Sequence, residues 1–159
     1  MTKEIERKFL VTGDEWRKLA QGEHISQAYL GKGKNCVFRV RTRGERALLG
    51  IKGKRKNISA DEFEYEIPLT DARKLIEHYA EHSVIEKKRH IVEHAGHIWE
   101  IDEFFGENAG LIMAEIELAS EGEKFSKPGW IGEEVSLDPR YANFNLAQNP
   151  YKNWGIKQT

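Results

Sequence analysis

The chain repeatedly places charged residues two positions apart, mostly of one sign, opposite a largely apolar set. In "EIERK", strand alternation puts Glu4, Glu6 and Lys8 on one side and Ile5, Arg7 and Phe9 on the other. "VFRVR" aligns Arg39 with Arg41 against Phe38 and Val40, and "GIKGK" sets Lys52 and Lys54 two apart. "EFEYEI" lines up Glu62, Glu64 and Glu66 against Phe63, Tyr65 and Ile67. "IEKKRH" pairs Lys87 with Arg89, "WEIDEF" pairs Glu100 with Asp102, and "AEIEL" pairs Glu115 with Glu117.

Like charges at this spacing lie about 6.6 Å apart along a strand. They repel by about 0.6 kcal/mol in water but by about 2.5 kcal/mol at an effective dielectric of about 20. A half-wet sheet also alternates apolar and polar sides. Its wet side, however, mixes Ser, Thr and Gln with both signs of charge, whereas these rows are mostly pure in sign. If the apolar sides face outward beneath helices, the charged rows line an enclosed, water-filled interior with acidic and basic walls. Acidic walls supply hard oxygen donors suited to Mg2+ or Mn2+. Basic walls supply cations, with arginine able to grip phosphate oxygens in a fork. A polyphosphate needs both at once, because its oxygens meet Arg and Lys directly and reach carboxylates through a bridging metal. Metal plus cationic clamps is also the equipment of phosphoryl transfer.

Eight strands are expected to hold these rows, at roughly 3–11, 25–31, 36–43, 46–53, 61–68, 84–93, 97–104 and 112–119. Turn signals separate several of them: "GKGKN", "RGER" and "HAGH". "DEWRKLAQ" predicts a short helix capped by Asp14, and a second helix should follow Thr70 as its N-cap. In that second helix Ala72, Leu75, Ile76, Tyr79 and Ala80 share a face. "DPRYANFNLAQN" starts a third, with Asp138 as cap and Pro139 in the first turn. The fold class read from this pattern is α+β and β-rich, an antiparallel barrel with a few helices outside.

Composition narrows the classes further. The 159 residues suit one domain over 1–159, and 39% apolar with 32% charged residues suits a soluble globular chain and argues against disorder. A net charge of −1 gives no global basic field for nucleic acid or an anionic membrane. The one cysteine, Cys36, excludes an internal disulfide framework and fits a reducing compartment. With no apolar run of spanning length and a charged rather than signal-like start, the cytoplasm is the expected location. "GKGKN" lacks the spacing of a phosphate loop and reads as a hairpin turn, while "KGKRK" reads as a strand end running into a solvated loop. His78 and His82, one helical turn apart, have no further zinc ligands in view.

Taken together, these segments resemble the CYTH domain family, also called the triphosphate tunnel metalloenzymes. "EIERKFLV" resembles that family's opening ExExK signature. "QAYL", "RVR", "IK", "EYE", "EKKR", "EID", "EIE" and "GEEVSLDPRY" follow in order across almost the whole chain. The resemblance implies an eight-stranded antiparallel closed barrel, a tunnel that binds triphosphate with Mg2+ or Mn2+. By position, Glu4, Glu6, Glu115 and Glu117 resemble the metal-side carboxylates, with Asp102 close to them. Lys8, Arg39, Arg41, Lys52, Lys87 and Arg89 resemble the triphosphate-binding cations, and Lys87 is the preferred helper for activating the attacking water. Glu64 and Glu66 both stand as candidates to complete the acidic wall. Gln27 and Tyr29 can reach the lumen, and Arg140 with Tyr141 should anchor a helix that closes one tunnel end.

The implied activity is metal-dependent hydrolysis of a triphosphate, with inorganic tripolyphosphate favoured because no segment obviously reads a nucleobase. Class IV adenylate cyclase, thiamine or nucleoside triphosphatase activity, and a non-catalytic polyphosphate-binding module are the alternatives. The expected partner is a small-molecule triphosphate, with no nucleic acid and no membrane; a homodimer stays open.

Overall fold

The computed structural model describes residues 2–155. Eight strands follow the alternating segments: β1 (Thr2–Val11), β2 (Gly22–Gly33), β3 (Cys36–Arg43), β4 (Arg46–Gly53), β5 (Ser59–Glu66), β6 (Ile85–His94), β7 (His97–Phe104) and β8 (Ile112–Glu117). All pair antiparallel, and the order β1-β5-β4-β3-β2-β6-β7-β8 returns to β1, so the eight form a closed ring. Full closure leaves few free strand edges, which suits a sheet with one charged face.

β1 is the strand that closes the ring. Its residues 6–10 pair with β8, and residues 2–5 pair with β5. The rest of the β5-facing edge is taken by a short ninth strand, β9 (Ile131–Glu134), through Phe9 and Val11. β9 was absent from the sequence expectation because four residues are too few to show a period. A β-bulge between Phe9 and Val11 marks where β1 bends away from the ring.

The apolar sides do face outward. Phe9, Val92, Trp99, Ile101, Ala114, Ile116, Leu118 and Trp130 form a buried cluster outside β1, β6, β7 and β8. Phe125 and Trp130, from the segment between β8 and β9, cover it, with ring centroids 5.9 and 6.0 Å from Trp99. Helix α1 (Leu69–Tyr79) covers β2, β3 and β4, burying Ala72 against Val40 and Ala47 with Leu75 and Ile76 beside them. Tyr79 does not join that face and is 66% exposed. A third cluster lies at one end of the ring, where the inward rows change from charged to apolar. There Tyr29, Ile85, Phe104 and Met113 meet Tyr141, Leu146 and Ala147. Leu146 and Ala147 belong to α2 (Asn143–Gln148).

The helix starts differ from the sequence expectation. Glu15–Lys18 is a 3-10 turn without a side-chain cap, and Asp14 pairs with Arg17 at 2.9 Å instead. α1 starts directly after Pro68 rather than after Thr70, because the proline's φ of −59° already sets the chain's entry into the helix. Asp138 does cap, accepting from the Arg140 backbone N–H at 3.1 Å, but it caps the 3-10 turn Pro139–Tyr141, and α2 follows separately. No helix among the described residues is long and apolar enough to cross a membrane.

Phe9 is fully buried between Trp99 and Phe125. Phe9→Ala is expected to lower unfolding free energy by about 3–5 kcal/mol in urea titration, since both transfer energy and packing are lost. Tyr65→Ala, at a site 57% exposed, should change it by less than about 0.5 kcal/mol.

Candidate active site

The ring encloses a cavity of about 590 Å³. Ten cationic and seven acidic side chains line it, a positive excess inside a chain whose net charge is −1. Charge has therefore been segregated to the interior, as strand alternation alone demands once the apolar faces turn outward.

One wall is carboxylate. Glu4 and Glu6 on β1 and Glu115 on β8 can bring one oxygen each within 4.8 Å of one another. Two unit charges at such a distance repel by about 3.5 kcal/mol at an effective dielectric of about 20. Interleaved cations meet part of that cost, and the rest shows in the opposed shifts of the carboxyl groups. Burial, followed by the hydrogen bond and charge of Glu6, pushes Glu4 up to about 9. Burial and then Glu6 raise Glu115 as well. Glu6 goes the other way: burial opposes its charge, but Lys52, Glu4 and Lys8 together hold it well below the usual range. Lys52 Nζ sits 3.0 Å from Glu4 and 3.6 Å from Glu6, and Arg55 donates to Glu6 Oε1 at 2.7 Å. Lys8 Nζ lies 3.8 Å from Glu115.

The opposite wall is cationic and is organised by one buried acid. Asp102 accepts from Arg89 Nε at 2.8 Å and Nη2 at 2.9 Å, and its Oδ2 lies 2.9 Å from Lys87 Nζ. Burial works against its charge, but Arg89 and Lys87 overcome that and hold it far below an ordinary carboxyl. Lys87 is driven down to about 7, first by burial, with Arg89 and Arg41 adding to it and Asp102 resisting. Arg41 is lowered to about 10 by burial and by Arg39 and Arg89. Among the described residues no carboxylate lies within 4 Å of Arg41; its Nε donates to Gln27 at 3.1 Å. A buried guanidinium with a neutral partner and cationic neighbours is a ready anion site. Arg39 runs across Gly50, where an added Cβ would lie 3.4 Å from its Cγ and Nε. From there Arg39 reaches Glu62 at 3.6 Å and Glu64 at 3.8 Å.

The sequence profile of the CYTH domain matches residues 2–148. The chain belongs to the CYTH family. A relative from Acetivibrio thermocellus, named inorganic triphosphatase, is 49% identical over 154 residues, covering 97% of this chain and 99% of the relative. A second inorganic triphosphatase, from Nitrosomonas europaea, is 33% identical over 148 residues, covering 91% and 96%. The crystal structure of an inorganic triphosphatase superposes with a TM-score of 0.66 at 32% identity, covering 92% of this chain and 95% of that one. The ring of eight strands is thus the CYTH tunnel fold.

Within this CYTH tunnel, Glu4, Glu6, Lys8, Arg39, Arg41, Lys52, Glu64, Lys87, Arg89, Glu115 and Glu117 all line the cavity. Two expected residues stand elsewhere. Asp102 lies behind the lining with both oxygens committed to Arg89 and Lys87, so it orders the cationic wall rather than joining the three-carboxylate cluster. Glu66 sits at the far end of β5 in an exposed pair with Arg46 at 3.2 Å, outside the cavity. Glu62 takes the place in the acidic wall that Glu66 was expected to share. Glu62 alternates in the same row, and what distinguishes the three is β5's register: Glu62 faces Lys52 across the strand pair, and Glu66 faces Leu48. Glu117 lines the cavity but stands outside the cluster, raised by burial and by Glu100 and Glu6.

Arg55 was missed because strand periodicity ends at Gly53 and gives no aim to a side chain beyond it. Asn143 was missed because a helical asparagine carries no charge pattern; its Oδ1 accepts from Lys87 Nζ at 2.9 Å.

The donor set fits a hard divalent cation. The cluster is three carboxylates, and Glu4 Oε2 is buried without a well-directed hydrogen bond. Asp102→Asn should destabilise the protein by about 3–5 kcal/mol in chemical denaturation, because it leaves two buried cations short of their counter-charge. Glu66→Gln should cost less than about 1 kcal/mol, as its pair is exposed.

Proposed function

We propose that this protein is a divalent-metal-dependent inorganic triphosphatase that hydrolyses tripolyphosphate inside the tunnel, with Mg2+ or Mn2+ on Glu4, Glu6 and Glu115. One observation carries the reading: a three-carboxylate cluster and a row of partly unpartnered buried cations face each other across a single cavity. The positive excess of that cavity is opposite in sign to a triphosphate, and remains so after a divalent ion has neutralised part of the anion's charge. Two relatives named inorganic triphosphatase, together covering nearly the full chain, support the substrate choice.

The roles follow from placement. Arg39, Arg41 and Arg89 grip phosphate oxygens, with the planar fork of arginine favouring bidentate contact. Lys8 and Lys52 stand at the boundary between the walls and neutralise oxygens nearest the metal side. A bound divalent ion supplies charge neutralisation and lowers the pKa of a coordinated water. Lys87, held near neutrality by burial, is placed to take or return the proton of the attacking water. Asp102 keeps Lys87 and Arg89 in position without facing the cavity.

The alternative cyclase reading needs a grip on adenine, and the aromatics lining the cavity are Tyr29 and Phe144. Tyr29 and His82 abut the Phe144 ring, with centroids 5.1 and 6.1 Å away, and the Lys32 ammonium sits 5.4 Å from its centre.

Purified protein with Mg2+ or Mn2+ should release phosphate from tripolyphosphate faster than from ATP or thiamine triphosphate. Cyclic AMP from ATP without phosphate release from tripolyphosphate would overturn the reading. Glu4→Gln with Glu6→Gln should lower kcat by a factor of 100 or more, on the order expected for lost charge stabilisation, and calorimetry should show loss of Mn2+ binding. The pH dependence of kcat/KM, which reports the free enzyme, should rise with pH and level off above about 7 as Lys87 loses its proton. That rising limb should be absent in Lys87→Ala.

A further inference from the structure

We propose that Asn143, on the helix outside the ring, is a positioning residue for Lys87, and that Gln27 holds Asn143 in the orientation this requires. The inference rests on the reading of Lys87 as the group that handles the water proton.

The orientation of both amides follows from their neighbours. Lys87 Nζ and Arg41 Nε can only donate hydrogen bonds. Lys87 donates to Asn143 at 2.9 Å, so the atom it meets is Oδ1. Arg41 donates to Gln27 at 3.1 Å, so the atom it meets is Oε1. The Gln27 amide nitrogen is thereby left facing the other way, where it donates to Asn143 Oδ1 at 3.0 Å and to the Tyr29 hydroxyl at 3.2 Å. Two cations thus fix two amides end to end, in the order Arg41, Gln27, Asn143, Lys87. Gln27 is fully buried, and flipping either amide would set donor against donor.

The consequence falls on Lys87. An ammonium has three N–H directions, and a lysine with one partner can still swing about its terminal bonds. Here Asp102 takes one direction and Asn143 a second, both at 2.9 Å. The remaining direction is the one left for the cavity that Lys87 lines. Asp102 supplies counter-charge and Asn143 supplies aim. A neutral acceptor in the second place also matters, because another carboxylate there would favour the charged amine. The helix that covers one tunnel end therefore contributes to the chemistry.

The test is a double-mutant cycle on tripolyphosphate hydrolysis at saturating Mn2+, using Asn143→Leu and Lys87→Ala singly and together. Asn143→Leu should lower kcat about tenfold or more, as misaiming a reacting group does, while changing KM less than about twofold. In the Lys87→Ala background the same substitution should change kcat less than about twofold, because its effect passes through the lysine. Asn143→Asp, which returns an acceptor oxygen but favours the charged amine, should recover most of the loss only above a Lys87 transition that is itself shifted to higher pH. Equal loss in both backgrounds would make Asn143 merely structural and overturn the proposal, as would an unchanged kcat in Asn143→Leu. Wild-type turnover in Lys87→Ala would instead overturn the reading of Lys87, and with it this inference. Thermal unfolding of each variant separates a folding defect from a catalytic one. If Asn143→Leu unfolds early, Gln27→Leu replaces it in the cycle with the same expected outcomes.

Discussion

Asp102 carries Arg89 on both of its oxygens and Lys87 on one, in a position that solvent hardly reaches. Burying one carboxylate and two cations is costly for each of them alone. The arrangement persists because each partner relieves the others, and because the surplus of positive charge faces an open cavity. The rest of the interior obeys the same constraint. Glu4, Glu6 and Glu115 crowd within 4.8 Å only because Lys52, Arg55 and Lys8 are interleaved with them. An apolar barrel of this size would fill its lumen with side chains. This one keeps its lumen open by lining it with groups that repel along each strand and attract across it.

Geometry makes that balance possible. Ring closure places the acidic strands β1 and β8 side by side, while β3 and β6 bring arginine and lysine from either side of β2. β1 closes the circle by dividing one edge between β5 and β9, so its charged half stays in the ring while its far end bends outward. The outer faces are covered by α1 and by the aromatic segment between β8 and β9, and the apolar end of the lumen is covered by α2. Of these only α2 reaches the cavity lining, because it lies where the inward rows turn apolar and Asn143 can meet Lys87.

The fold was legible because the period of two is an unambiguous signal when it is written in charge. Each row told which residues face together, and pure sign told that the shared face was not ordinary surface. What the rows could not tell is register. Glu62, Glu64 and Glu66 are equivalent in the sequence, yet the pairing of β4 with β5 brings the first to Lys52 and leaves the last at an exposed strand end. Asp102 and Glu100 are equally alike in pattern, and only the depth of β7 separates the buried organiser from a lining group. Arg55 and Asn143 lie beyond any strand period, so their aim depends on tertiary placement alone. The mistaken caps have a similar cause: local signals at Asp14 and Thr70 were outcompeted by an ion pair and by a proline.

The pairing of the walls also bears on how ligands enter. Lys52 cannot hold Glu4 and Glu6 at 3.0 and 3.6 Å and at the same time serve a phosphate oxygen with its full charge. Its pKa is raised by those two glutamates against the effect of burial, so it stays an ammonium throughout. A divalent ion on Glu4, Glu6 and Glu115 would take up the carboxylates that Lys52 and Arg55 now hold, and would leave both cations free to meet an anion at the lumen. An interior built of mutually compensating rows would in that way let cation and anion favour each other through Lys52 and Arg55.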